Sequence, residues 1–139
     1  MAGATQGQLQ RLQRLQNIGA RIVARPPRTA QVSPILRTLH WLSVHRRIEH
    51  KILCMVFKCV SAAASLYVQG LLKEYKPNRG LRSATQKLLC IPHRRLSSYG
   101  CRSFSFVGPR LWNMIPEQLR KSPKLSCFKK GLKTFLFEN

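Results

Sequence analysis

Between Gln8 and Arg25 the apolar residues Leu9, Leu12, Leu15, Ile18, Ile22 and Val23 recur at three- and four-residue intervals, with Arg and Gln between them. That spacing predicts an amphipathic helix, which Pro26 and Pro27 end. Ser33 followed by Pro34 predicts an N-cap with Pro in the first helical position, opening a short helix through Leu36, Leu39 and Leu42. Ser43 then caps a third helix, running from Val44 to about Ser61. In it Val44, Ile48, Ile52, Met55, Val56, Cys59 and Val60 form one broad apolar stripe, while Arg46, Arg47, His50, Lys51 and Lys58 mostly fall outside it.

A shorter helix is expected from Leu66 to Tyr75, closed by the turn residues of Lys76-Pro77-Asn78-Arg79-Gly80. Beyond it the helical period fades. Leu88 to Ile91 reads as a strand, Ser97 to Gly100 as a turn, and Cys101 to Phe106 as either a second strand or a helix start. Pro109 and Pro116 bracket a short helical segment, Arg110 to Ile115, and Ser126 caps a final helix with Phe128, Leu132, Phe135 and Leu136 on one face. The expectation is a mainly α, small helical domain with a short β-hairpin around residues 86–106. Its expected organisation is a flexible start at 1–7, a helical subdomain at 8–75, and a loop or hairpin plus C-terminal helix at 76–139. No fixed-period repeat or low-complexity tract is present. The longest apolar run, Ile52 to Phe57, is far short of the roughly 20 residues of a membrane span, so no transmembrane segment is expected.

Charge changes this picture more than length does. The 139 residues are 44% hydrophobic, enough for a modest core, yet Lys and Arg total 25 against 4 acidic residues, a formal net charge of +21. Such an excess repels itself unless an anionic partner offsets it, and a polyanion that releases counterions is the simplest one. The acids are Glu49, Glu74, Glu117 and Glu138, and the chain has no Asp. Two-metal phosphoryl chemistry and glycoside hydrolysis both need clustered carboxylates, so neither fits, and no catalytic residue, metal site or cofactor is assigned.

The candidates for phosphate contacts are the basic clusters: Arg25 and Arg28, Arg46 and Arg47 with Lys51, Arg79 with Arg82, and Arg94 with Arg95. The planar guanidinium fork of Arg matches phosphate oxygens. The competing reading is a solvated face, but solvated charge normally comes with interspersed acids. Tyr99, in a turn beside Arg94 and Arg95, is the candidate for stacking on an unpaired base, whereas Trp41 and Trp112 lie among aliphatic neighbours and are expected in the core. Cys90-Ile91-Pro92-His93 with Cys101 has the spacing of half a zinc site and no second tight pair; ordinary buried thiols are the simpler expectation. The first 48 residues lack any acid. Combined with Arg and an amphipathic helix, that resembles a mitochondrial transit peptide as much as an RNA-binding helix.

Several phrases, in order, resemble the C-terminal tail that follows the polymerase core in reverse transcriptases of non-LTR (LINE-type) retrotransposons. They are Leu9-Gln10-Arg11-Leu12-Gln13 with Ala20-Arg21, Leu39-His40-Trp41-Leu42, Arg47-Ile48 with Lys51-Ile52-Leu53, and Phe57-Lys58-Cys59. Leu81-Arg82-Ser83, Pro109-Arg110-Leu111-Trp112-Asn113 with Ile115-Pro116, and Phe128-Lys129 with Leu132 to Phe137 complete them. The resemblance covers nearly the whole chain from about Gln8. It implies a piece of a larger protein whose endonuclease and polymerase core, with its paired catalytic Asp, lie elsewhere. The chain departs from the pattern at Ser43, where a Pro usually follows, and at Ala64-Ser65, which replace a Pro pair.

The resulting expectation is a non-catalytic fragment that binds RNA or DNA through the phosphate backbone with little sequence specificity, in the nucleus or cytoplasm, with an absent polymerase core as a further partner. The alternatives are a mitochondrial or ribosome-associated basic RNA-binding protein, a decayed fragment with no selected function, or an interaction module whose Ser126 to Phe137 face docks on a missing domain.

Overall fold

The computed structural model describes residues 5–27, 29–77, 86–93 and 100–138. Seven helices follow one another among them: α1 Gln6–Ala24, α2 Val32–Thr38, α3 Val44–Val60, α4 Leu66–Gly70, α5 Phe104–Met114, α6 Glu117–Arg120 and α7 Leu125–Glu138. A 3₁₀ turn at Gly100–Arg102 precedes α5. The protein is mainly helical, and among the described residues the extended pairing amounts to one isolated bridge.

The α1 helix begins two residues before Gln8 because Thr5 and Gln8 form a capping box. The Gln8 amide donates to the Thr5 hydroxyl at 3.4 Å, and the Thr5 amide donates to the Gln8 side chain at 2.9 Å. The α2 helix also starts early, with Gln31 rather than Ser33 as its N-cap. Pro34 then occupies the third helical position, where its missing N–H loses no intrahelical bond. Besides α1, which ends at Arg25 in a left-handed C-cap (φ 45°), two helices end in left-handed turns without glycine. His40 (φ 52°) follows α2, with its amide on the Arg37 carbonyl and the Trp41 amide on Leu36; Ala62 (φ 54°) follows α3, with the same pattern onto Cys59 and Lys58. Both are Schellman closures, and a side chain at that φ costs on the order of 1 kcal/mol that glycine would not.

At the centre lies α3, with Leu53, Val56 and Phe57 buried. Phe57 stacks on Phe128 of α7 at 4.5 Å between ring centroids, and Trp112 of α5 closes the trio at 5.8 Å from Phe128 and 6.5 Å from Phe57. Leu42, Leu89, Ile115, Leu132 and Leu136 complete the core, which therefore draws on residues from both sides of the boundary expected near residue 75. Burying each of these large side chains contributes about 1.5 to 3 kcal/mol. The apolar face of α7 is thus consumed by the chain's own core rather than left open for a missing domain.

Three expectations change where distant contacts intervene. The helix expected from Leu66 to Tyr75 stops at Gly70. The following residues turn into an extended segment, in which the Cys90 amide donates to the Lys73 carbonyl at 2.8 Å and the Tyr75 amide to Leu88 at 2.9 Å. The strand expected at Leu88 to Ile91 accordingly pairs at Glu74–Leu89, antiparallel, and not with Cys101 to Phe106 as a hairpin over 86–106 would require. Of the two readings of Cys101 to Phe106 the helix start holds, with Phe104 opening α5, and α5 runs through Pro109 where the sequence suggests a break. Gly108 explains the continuity. It has no Cβ to press on the Pro109 ring, and a Cβ there would come within 3.0 Å of Val56 Cγ2 on α3.

Candidate nucleic-acid interface

The first turns of α3 carry Arg46, Arg47, His50 and Lys51, and their orientation depends on α1. Ser43 makes no side-chain cap bond to α3. The Val44 amide donates to Gln13 Oε1 at 2.9 Å, and Gln16 Nε2 donates to the Leu42 carbonyl at 2.8 Å, so two glutamines of α1 close the start of α3. From there Arg47 donates through Nε to the same Leu42 carbonyl at 3.0 Å, and its guanidinium lies 5.8 Å above the Trp41 ring. Arg46 pairs with Glu49 at 2.8 Å, a carboxylate that His45 also approaches at 3.5 Å. Lys51, four residues beyond Arg47, is exposed on the same side of the helix.

Packing of α7 on α3 brings further cations to this end of the molecule. Lys129 and Lys133 lie close enough to His50 to disfavour its protonation, though burial is the larger cause of its lowered pKa; a hydrogen bond involving the Lys129 backbone acts in the opposite direction. An open groove of about 580 Å³ runs between α2 and the end of α7, lined by Arg37, His40, Thr134, Phe137 and Glu138. A smaller recess of about 190 Å³ continues it past Trp41, Ser43 and Arg46, sharing Arg37 and Phe137. The result is a face built from α2, α3 and α7 on which Arg37, Arg46 and Glu138 line a partly apolar trough, with Lys133 Nζ 5.9 Å from the ring of Phe137 at its edge.

Of the residues expected to touch phosphate, Arg46 and Arg47 are brought together and Lys51 adjoins them. Arg25 stands apart as the exposed, left-handed C-cap of α1 (φ 45°). Arg28, Arg79, Arg82, Arg94, Arg95 and Tyr99 lie outside the described residues. Arg37, His40 and Lys133 were not legible as members of the face. Lys129 and Lys133 do recur at a four-residue interval beside the core positions Phe128 and Leu132, but nothing local says that α3 is what they meet. Trp41 is half-buried under Arg47, and Trp112 is fully buried in the core.

One arginine serves the fold rather than a ligand. Arg120 is buried at 6% exposure and donates from Nε to the Gln86 carbonyl at 2.9 Å and from one terminal nitrogen to the Ile115, Asn113 and Trp112 carbonyls at 2.6, 3.3 and 3.5 Å. It satisfies the orphan carbonyls at the end of α5 and ties them to the 86–90 segment.

The chemistry available around His50 is muted. Cys54 Sγ lies 3.8 Å from His50 Nδ1, but burial raises the thiol pKa and lowers that of the imidazole, so both stay neutral near pH 7. A thiolate–imidazolium pair needs the opposite shifts. Among the described residues no group of three or more His, Cys, Asp or Glu is placed to hold a metal ion, and no helix is long and apolar enough to cross a membrane. Compared with family models, curated proteins and solved structures, the chain matches none.

Proposed function

We propose that this chain is a non-catalytic nucleic-acid-binding fragment, similar to the C-terminal tail of a LINE-type reverse transcriptase, that grips RNA or DNA phosphates with little sequence preference. The observation that carries the reading is the placing of Arg37 and Arg46 along one trough, with Lys133 against the Phe137 ring that lines it, in a chain with a net charge of +21. Held close in a folded domain, these cations repel one another. Phosphates placed among them relieve that repulsion and release their own counterions, a gain that grows as salt falls. Arg47 over Trp41 adds a flat surface beside the groove on which an unpaired base can stack. The ordered phrases resembling the retrotransposon tail support the same class of partner, since that tail follows an enzyme that works on RNA and DNA.

The test is binding of the full chain to a labelled single-stranded RNA and to a duplex DNA across a salt series. Affinity should fall steeply and similarly for both. The double variant Arg37→Gln/Lys133→Gln should flatten the log–log slope by about 0.7 to 0.9 for each phosphate contact removed. Absence of binding at low salt, or an affinity indifferent to salt, would overturn the proposal.

A further inference from the structure

The first helix is packed by its polar side. Gln13 and Gln16 bond to the start of α3, and Leu9 and Ala20 are buried, whereas Leu12, Leu15, Ile18, Ile22 and Val23 are 50 to 69% exposed. At 3.6 residues per turn these five aliphatic side chains share an arc of roughly 140° that flanks the glutamine-bearing side. They form a continuous strip along a helix of 19 residues, about 28 Å long. Arg11 and Arg14 are exposed on the same helix and Arg25 at its end, and the helix carries no Asp or Glu.

Charge selects among the surfaces able to cover this strip. A second copy of the chain would set another +21 charge, and another Arg11 and Arg14, against the first. Nucleic acid would satisfy the arginines but leave the aliphatic strip in water. A bilayer surface containing anionic lipid answers both needs: it takes the side chains into the headgroup and acyl boundary while the arginines meet lipid phosphates. Among the described residues the back of α1 is held by α2 and α3, so the strip is open to approach from one side, as a planar surface requires and an enclosing protein groove does not.

We infer that α1 is an interfacial anchor, laying Leu12, Leu15, Ile18, Ile22 and Val23 into the surface of an anionic bilayer. This is independent of the phosphate grip and stands or falls separately. The full chain should co-sediment with phosphatidylcholine vesicles containing phosphatidylserine and only weakly with phosphatidylcholine alone. The variant Leu15→Gln/Ile18→Gln/Ile22→Gln changes only exposed positions, and should partition more than about tenfold less onto the anionic vesicles with unchanged helicity and RNA affinity. Failure of the parent to bind anionic vesicles overturns the inference. So does equal binding by parent and variant, which would mean that charge alone is attracted. A sedimentation mass that doubles in the parent and reverts in the variant would assign the strip to a second copy and overturn it as well.

Discussion

Leu89 and Asn113 close a two-bond ring across 24 residues: the Leu89 amide donates to Asn113 Oδ1 at 3.0 Å, and Asn113 Nδ2 donates to the Leu89 carbonyl at 2.9 Å. The side-chain amide thus replaces a neighbouring strand. With Trp112 Nε1 on the Lys87 carbonyl at 2.8 Å and Arg120 on Gln86, it holds an extended segment on a helical core without a sheet. The phrase around Trp112 and Asn113, conspicuous in the sequence, therefore works as a clamp on residues 86–90.

Asn113→Ala removes both bonds and leaves the buried Leu89 with two unsatisfied backbone groups. A loss of about 1 to 3 kcal/mol in urea unfolding is expected, with faster hydrogen exchange at the Leu89 amide. Asn113→Asp keeps the acceptor and loses the donor, so near pH 7 it should restore little. Unchanged stability in Asn113→Ala would show that the ring adds nothing.

Arg120→Met should cost more, about 3 kcal/mol or above, because carbonyls of Gln86 and of the last turn of α5 lose a charged donor together. Arg120→Lys should recover less than half of that loss, since an ammonium cannot span both sites as the guanidinium fork does. Thermal and urea denaturation of the two variants measure the difference.

The start of α3 offers a contrast between a distant cap and a local one. Gln13→Ala removes the acceptor of the Val44 amide and should destabilise by about 1 kcal/mol, while Ser43→Ala, at the N-cap itself, should be nearly neutral because its hydroxyl makes no cap bond. The reverse order in chemical denaturation would place the cap on Ser43.

Acid should loosen the contact of α3 with α7. Burial, aided by Lys129 and Lys133, holds the His50 pKa below its usual 6.5, so below that pH the unfolded chain binds a proton that the folded protein resists. This contribution to stability is fully present above about pH 6.5 and is lost as the pH falls below it. His50→Asn should flatten that limb of the urea midpoint against pH; an identical acid limb in both proteins would assign it to other groups.

By itself the sequence determined the helical class and the long central helix. The stripe from Val44 to Val60 repeats over several turns, and a period of that length is set by residues close enough to see one another. It also pointed Trp112 into the core, and gathered Phe128, Leu132 and Leu136 on one face of the last helix. It marked Arg46 and Arg47 as one cluster because they are adjacent. Only the tertiary structure decided that Gln13 rather than Ser43 caps α3, that α5 continues through Pro109 against Val56, and that Leu66 to Tyr75 breaks to pair with Leu88 to Cys90. It likewise turned Arg120 inward, brought Arg37 and Arg46 beside Phe137 along one groove, and left the apolar strip of α1 outside. Each of these outcomes depends on a partner supplied by another element of the fold. Local propensities differ by about 1 kcal/mol or less per residue, and a buried hydrogen bond or a close helix contact of that size or larger overrides them.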